Sequence, residues 1–213
     1  MCIRDSLSNE DQLFDMVKDP NQATDISEEN PQAMEELLQA KEQWKKTVLV
    51  ELPEKDERPF YIGHPGLHTT QIPARDGIPS GDIKRSNRFP NCTYFTNWIN
   101  PEDTISWEAE VAQDGDFEIT VYYSCEEEAI GSVFEVSFGD ASIQGKIKEA
   151  HNPLPYGAAE DRVVRQESYV KDFKPLKVGI LNLKKGKGKL QIKGIKKNGR
   201  TLMDFRLMLL KRL

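Results

Sequence analysis

The chain of 213 residues is poor in cysteine: Cys2, Cys92 and Cys125 are too few and too scattered for a disulfide framework or a four-thiolate zinc site. It lacks any run of about 18 apolar residues, which excludes a helical membrane span. Met1–Glu10 lacks the basic start, apolar stretch and small-residue cleavage site of a secretory signal, so export is left open. A net charge of −6 argues against nucleic acid as a partner. What is present is a globular composition, 38% hydrophobic and 30% charged, on a chain long enough to bury a sizeable core. Its charge is uneven. Residues 1–57 carry 6 basic and 15 acidic side chains, whereas residues 171–213 carry 14 basic and 2 acidic, so two pieces are expected.

Residues 1–6 (Met-Cys-Ile-Arg-Asp-Ser) read as ATG TGT ATA AGA GAC AGN, the translated end of a transposase adaptor used in sequencing libraries, and are taken as an assembly scar. Residues 7–50 form the first piece. Leu13–Met16 is a short apolar strand running into a turn at Asp19-Pro20-Asn21. A helix follows, with Asn30 as its cap, Pro31 in its first turn and Met34, Leu37, Leu38 and Trp44 on one face. One strand and one helix hold too little apolar surface to fold alone.

Residues 51–93 are rich in proline and glycine and show no periodicity, which predicts an irregular strap packed on a surface through Phe60, Tyr61, Ile62, Leu67, Ile72 and Ile78. From 94 to 213 the period becomes two. Ile105, Trp107, Ala109 and Val111, then Phe117, Ile119, Val121 and Tyr123, alternate with polar residues and predict a hairpin turning at Gln113–Asp116. Further strands are expected at Val133–Phe138, Ile143–Ile147, Leu176–Leu183, Gly188–Ile195 and Leu202–Leu210, with turns at Phe138–Ala141 and Lys185–Gly188. The sum is mainly β, an antiparallel β-sandwich of jelly-roll type, with Trp107, Phe117, Val121, Val136 and Leu207 in its core. The loop of about 23 residues from His151 to Phe173 has a length that tends to carry function.

Gln12-Leu13-Phe14-Asp15-Met16-Val17-Lys18-Asp19-Pro20-Asn21-Gln22-Ala23-Thr24-Asp25-Ile26, followed by the helix through Trp44, resembles the end of a type I sulfatase of the arylsulfatase family. That family closes its catalytic chain with a pattern like ELYDLxxDPxExxNL and a helix bearing a late tryptophan. Phe14, Gln22 and Asp25 depart from it. Gly63-His64-Pro65, Pro73–Gly77 and Asn91–Phe95 look like the galactose-binding-like sandwich appended to some bacterial sulfatases. The resemblance implies that residues 7–50 are the strand-helix remnant of an α/β sulfatase C-terminal subdomain. It also implies an upstream catalytic domain as partner, holding the calcium and formylglycine, and a periplasmic or extracellular location. The C/S-x-P-x-R motif that supplies the formylglycine is missing here, so no catalytic residue, metal ligand or cofactor is expected in this chain.

Binding residues are expected elsewhere. His64 and His68, on a strap whose Pro65 and Gly66 forbid a shared helix face, could donate hydrogen bonds to a sulfated sugar, with Arg75 and Lys84-Arg85 as cations for sulfate oxygens. Tyr156 and Tyr169, with Arg162 and Arg165, are the stronger set, because an aromatic face in a long loop can stack on a pyranose. Tyr94, Phe95 and Trp98 read better as core, and Lys184–Lys189 as solvated protection of a strand edge than as a polyanion site. A freestanding carbohydrate-binding module and a purely structural sandwich remain the alternatives.

Overall fold

The computed structural model describes residues 2–4, 11–52, 57–89, 91–163 and 165–213. These form two compact units, residues 1–57 and 58–213. Much of the adaptor reading at residues 1–6, and the start of the first piece at 7–10, lie outside the described residues.

In the first unit β1 (Cys2–Arg4) pairs antiparallel with β2 (Gln12–Phe14), which buries Leu13 and Phe14. The strand stops at Phe14 rather than Met16, because the Asp15 carboxylate accepts the Val17 and Lys18 amides and curls the chain. Asp19 accepts the Thr24 amide and Asp25 the Leu13 and Ser27 amides, so three carboxylates hold this irregular stretch. These backbone donors keep all three groups below the ordinary carboxylate value of 3.8. Helix α1 (Pro31–Val48) follows. Asn30 occupies the position before it, but its side-chain amide donates to the Ile26 carbonyl instead of capping the helix. Trp44, Val48, Val50 and Leu52 are exposed.

The second unit is a two-sheet β-sandwich. The strap is part of it: β3 (Phe60–Ile62), β4 (Thr69–Pro73), β5 (Ile78–Pro79) and β6 (Lys84–Arg85) all pair with sandwich strands, so the compact unit begins at Arg58, not at Tyr94. Then come β7 (Phe95–Thr96), β8 (Thr104–Val111), β9 (Gly115–Ser124), β10 (Val133–Phe138), β11 (Ala141–Lys146), β12 (Lys174–Leu183), β13 (Gly186–Lys196) and β14 (Asp204–Arg212). One sheet runs β11-β10-β13-β8-β3 with β5 beside β8; the other runs β12-β9-β14-β7-β6 with β4 beside β14. Among the described residues pairing is antiparallel except for β3 on β8.

The expected hairpin of β8 with β9 is corrected. The two strands lie in opposite sheets, and so do β12 and β13, so the turns at 112–114 and 184–185 are crossings. Strict alternation reports which face is buried. It does not report which strand lies at the edge. Asp114 ties the two crossings together, accepting the Lys185 amide at 2.7 Å and the Lys184 ammonium at 3.2 Å. The Phe138–Ala141 turn does close a hairpin, β10 with β11.

Inward-facing residues of both sheets form one core, among them Trp107, Phe117, Val121, Phe134, Val136 and Phe205. Leu207 was expected there and is only half-buried. A β-bulge leaves Arg206 unpaired between Phe205↔Tyr123 and Leu207↔Tyr122, so Met208 and Leu210 take the inward positions.

Candidate functional site

The register sets the two ends of the sandwich apart. Phe117↔Arg212 and Leu183↔Gly115 mark a tip end, with the sheet crossings; Ser124↔Asp204 marks the opposite, loop end. The strap reaches the tip end first. The Ile62 carbonyl accepts the Ala112 amide and the His68 carbonyl accepts the Arg212 amide, which puts His64 and His68 there. Both histidines are exposed; His64 Nδ1 accepts the Gly66 amide at 3.0 Å, and its ring meets Tyr61 edge-on. Among the described residues no three His, Cys, Asp or Glu side chains gather as a metal site.

β4 then carries the chain back along β14 to Arg75, which is exposed and paired with Asp76 at 3.3 Å. Tyr156, Arg162 and Arg165 lie in the loop after His151, whose backbone bridges Cys125 at the loop end. The six expected binding residues therefore do not converge: His64 and His68 stand at one end, the loop residues at the other.

What does converge is the loop end. The 151–173 loop is bound to itself where the Tyr156 amide donates to the Val170 carbonyl at 2.7 Å, and to the strap where Asn87 Nδ2 donates to the Gln166 carbonyl at 2.6 Å. Beneath it Lys171, with only 7% of its side chain exposed, donates to Asn152 Oδ1 at 2.8 Å and Asp204 Oδ2 at 3.0 Å. Its ammonium also lies 5.6 Å from the Tyr94 ring centre and 5.9 Å from that of Phe173. Asn152 in turn donates to Glu126 at 2.5 Å. A buried cation needs such partners, and here they come from Asn152 and Phe173 of the loop, Tyr94 just before β7 and Asp204 of β14, so they fix the base of the loop.

Upon that base the expected loop residues differ in availability. Arg165 pairs with Asp161 at 2.6 Å and its guanidinium covers the Tyr169 ring at 4.7 Å, so both are occupied. The same pairing holds the Asp161 carboxyl below its ordinary value and the Arg165 guanidinium above its own. Tyr156 is 61% exposed, and Arg162 is exposed with no ion pair among the described residues. Phe95 and Trp98 are core, as expected, and Tyr94 is half-buried against Phe173. Cys92 and Cys125 are both free thiols, and burial pushes the Cys125 thiol up. The base of Asn152, Lys171 and Asp204 was missed in the sequence, where residues so far apart carry no common signal.

No protein-family profile and no curated protein matches the chain at the level of sequence. Solved structures do match. The mosquito-larvicidal Cry4Aa toxin of Bacillus thuringiensis is similar over 68% of this chain and 23% of its own, with a TM-score of 0.51 and 13% identity, a likeness of fold. The C-terminal CBM6 of LamC, a laminarinase of Zobellia galactanivorans, matches over 67% of this chain and 98% of its own, with a TM-score of 0.46 and 11% identity. The GH26-CBM35 β-(1,4)-mannanase of Podospora anserina matches over 68% of this chain and 28% of its own, with a TM-score of 0.45 and 14% identity. The matched stretch is thus well under half of the mannanase and toxin chains.

Proposed function

We propose that the loop end of the sandwich binds carbohydrate, with Tyr156 as the stacking platform and Arg162 as a donor to sugar hydroxyls. The observation that carries this reading is an exposed tyrosine on a loop pinned at both its own Val170 carbonyl and the strap. An aromatic ring matches the apolar face of a pyranose, and a loop already ordered loses little entropy on binding. On this reading the protein is a noncatalytic binding module. Titration of the purified chain with a glycan selected on an array tests it. Tyr156→Ala should weaken binding about tenfold, the equivalent of ~1.4 kcal/mol, while Tyr156→Phe keeps the ring and most of the affinity. Equal affinity of the alanine variant and the wild type would sink the reading.

A second reading makes the chain the noncatalytic end of a sulfatase, exported with a catalytic domain that supplies calcium and formylglycine. It is supported by Asp15, Asp19 and Asp25, which fall at polar positions of the resembled pattern and each hold backbone amides. On that reading the homogeneous chain turns over no aryl sulfate, and turnover above blank would overturn it.

A further inference from the structure

Arg85 and Arg88 of the strap and Arg206 of β14 are satisfied by neutral acceptors. Between Asp82 and Glu102 the strap holds Lys84, Arg85 and Arg88 and no acidic residue. β6, which carries Lys84 and Arg85, pairs with β7, and β7 pairs with β14 at Phe205, next to Arg206. Arg85 donates to the carbonyls of Gly77 at 2.6 Å and Arg75 at 3.2 Å, and Arg206 donates to that of Thr93 at 2.6 Å. Arg88 reaches Gln166 Oε1 at 3.4 Å and lies 4.6 Å over the Phe89 ring. Every one of these acceptors is neutral, and none of the three guanidinium groups has a carboxylate partner among the described residues.

Carbonyl dipoles orient a guanidinium without cancelling its charge, and its five donors are not exhausted by one or two bonds. Four lysines of the sheets and the tip end instead meet carboxylates: Lys177 pairs with Glu118 at 2.7 Å, Lys184 with Asp114 at 3.2 Å, Lys187 with Glu110 at 3.8 Å and Lys193 with Glu102 at 2.7 Å. Of the strap's nearby carboxylates, Asp76 is taken by Arg75 and Asp82 stands exposed. Three guanidinium groups are therefore oriented by neutral acceptors on a chain whose net charge is −6. Asn87 donates to the Gln166 carbonyl and Arg88 to Gln166 Oε1, which ties the strap cations to the loop that bears Tyr156.

We infer that Arg88 and Lys84, supported by Arg85 and Arg206 and joined by Arg162 from the loop, hold an anionic group of the glycan, a sulfate ester or a uronate carboxylate. The inference rests on the carbohydrate reading above. The test uses polymers that differ in charge alone: dextran sulfate against dextran for the sulfate, and polygalacturonate against its methyl ester for the carboxylate. Binding is measured at low and high salt. The charged member of at least one pair should bind at least about tenfold tighter, the worth of one charge-assisted contact, and lose that margin in high salt. Arg88→Gln with Lys84→Gln should abolish the margin, Arg88→Lys should restore part of it, and Lys184→Gln with Lys185→Gln at the far end should leave it intact. Unchanged melting of each variant confirms its fold.

Equal affinity for charged and neutral members, with binding still dependent on Tyr156, would overturn this inference and leave the carbohydrate reading standing. Affinity for the charged polymer that Tyr156→Ala leaves unchanged would detach the arginines from the sugar site and overturn the reading instead. Binding of no polymer would overturn both.

Discussion

Trp107 shows how much of this fold one side chain carries. It is 1% exposed, its indole nitrogen donates to the Pro73 carbonyl at 3.0 Å, and its ring lies 5.7 Å from that of Phe205 in the opposite sheet. The strap crosses it closely: a Cβ on Gly77 would stand 2.9 Å from the indole. Trp107→Ala removes a ring that touches both sheets and the strap, so it should cost about 3–5 kcal/mol in chemical denaturation through lost burial and the cavity left behind. A loss below about 1 kcal/mol would contradict its place in the core. This burial was legible from alternation alone, because Ile105, Trp107, Ala109 and Val111 share one face and all four are buried. Leu207 obeys the same alternation and is not, since a single unpaired residue, Arg206, shifts its phase. Local pattern holds no trace of a bulge whose cause lies in the neighbouring strand.

At the scale of elements, three carboxylates organise the first unit's irregular stretch. Asp15, Asp19 and Asp25 accept backbone amides in the irregular stretch between β2 and α1, and those bonds lower all three carboxyls below 3.8. A lowered folded-state value means stability that is present above the unfolded value and lost as pH falls through the folded one. The amide proton shifts of Leu13, Val17 and Thr24 should therefore move together as pH falls below about 4, while core amides such as Val121 stay still. Asp25→Asn keeps an acceptor for Leu13 without a titrating charge, so the variant should stay folded and Leu13 should cease to titrate. Persistent titration of Leu13 in that variant would place the charge elsewhere. The helix and most strands were legible because their periods are written in single segments. The two sheet crossings were not, since β8 and β9 alternate whether they pair at an edge or face each other across the core.

At the scale of the whole molecule, residues 58–213 contain both sheets and their own continuous core, strap included. That unit expressed alone should melt in one cooperative transition within a few degrees of the intact chain, as a single domain of this size does. Starting at residue 94 instead deletes β3 to β6 and should prevent that transition. The binding residues were legible as residue types but not as a site. His64 and His68 are close to Arg75 in sequence, yet between them the chain runs along β14 from Lys211 to Leu207. Gln166 and Asn87 are 79 residues apart and in contact.

The central claim, that the loop end binds carbohydrate, is tested most directly by mapping backbone amide shifts while the folded chain is titrated with an array-selected glycan. The account predicts saturable changes concentrated in residues 84–93 and 151–173, with the tip-end residues 61–68, 112–115 and 184–187 unmoved. Changes confined to the tip end, or spread evenly over both ends, would contradict it.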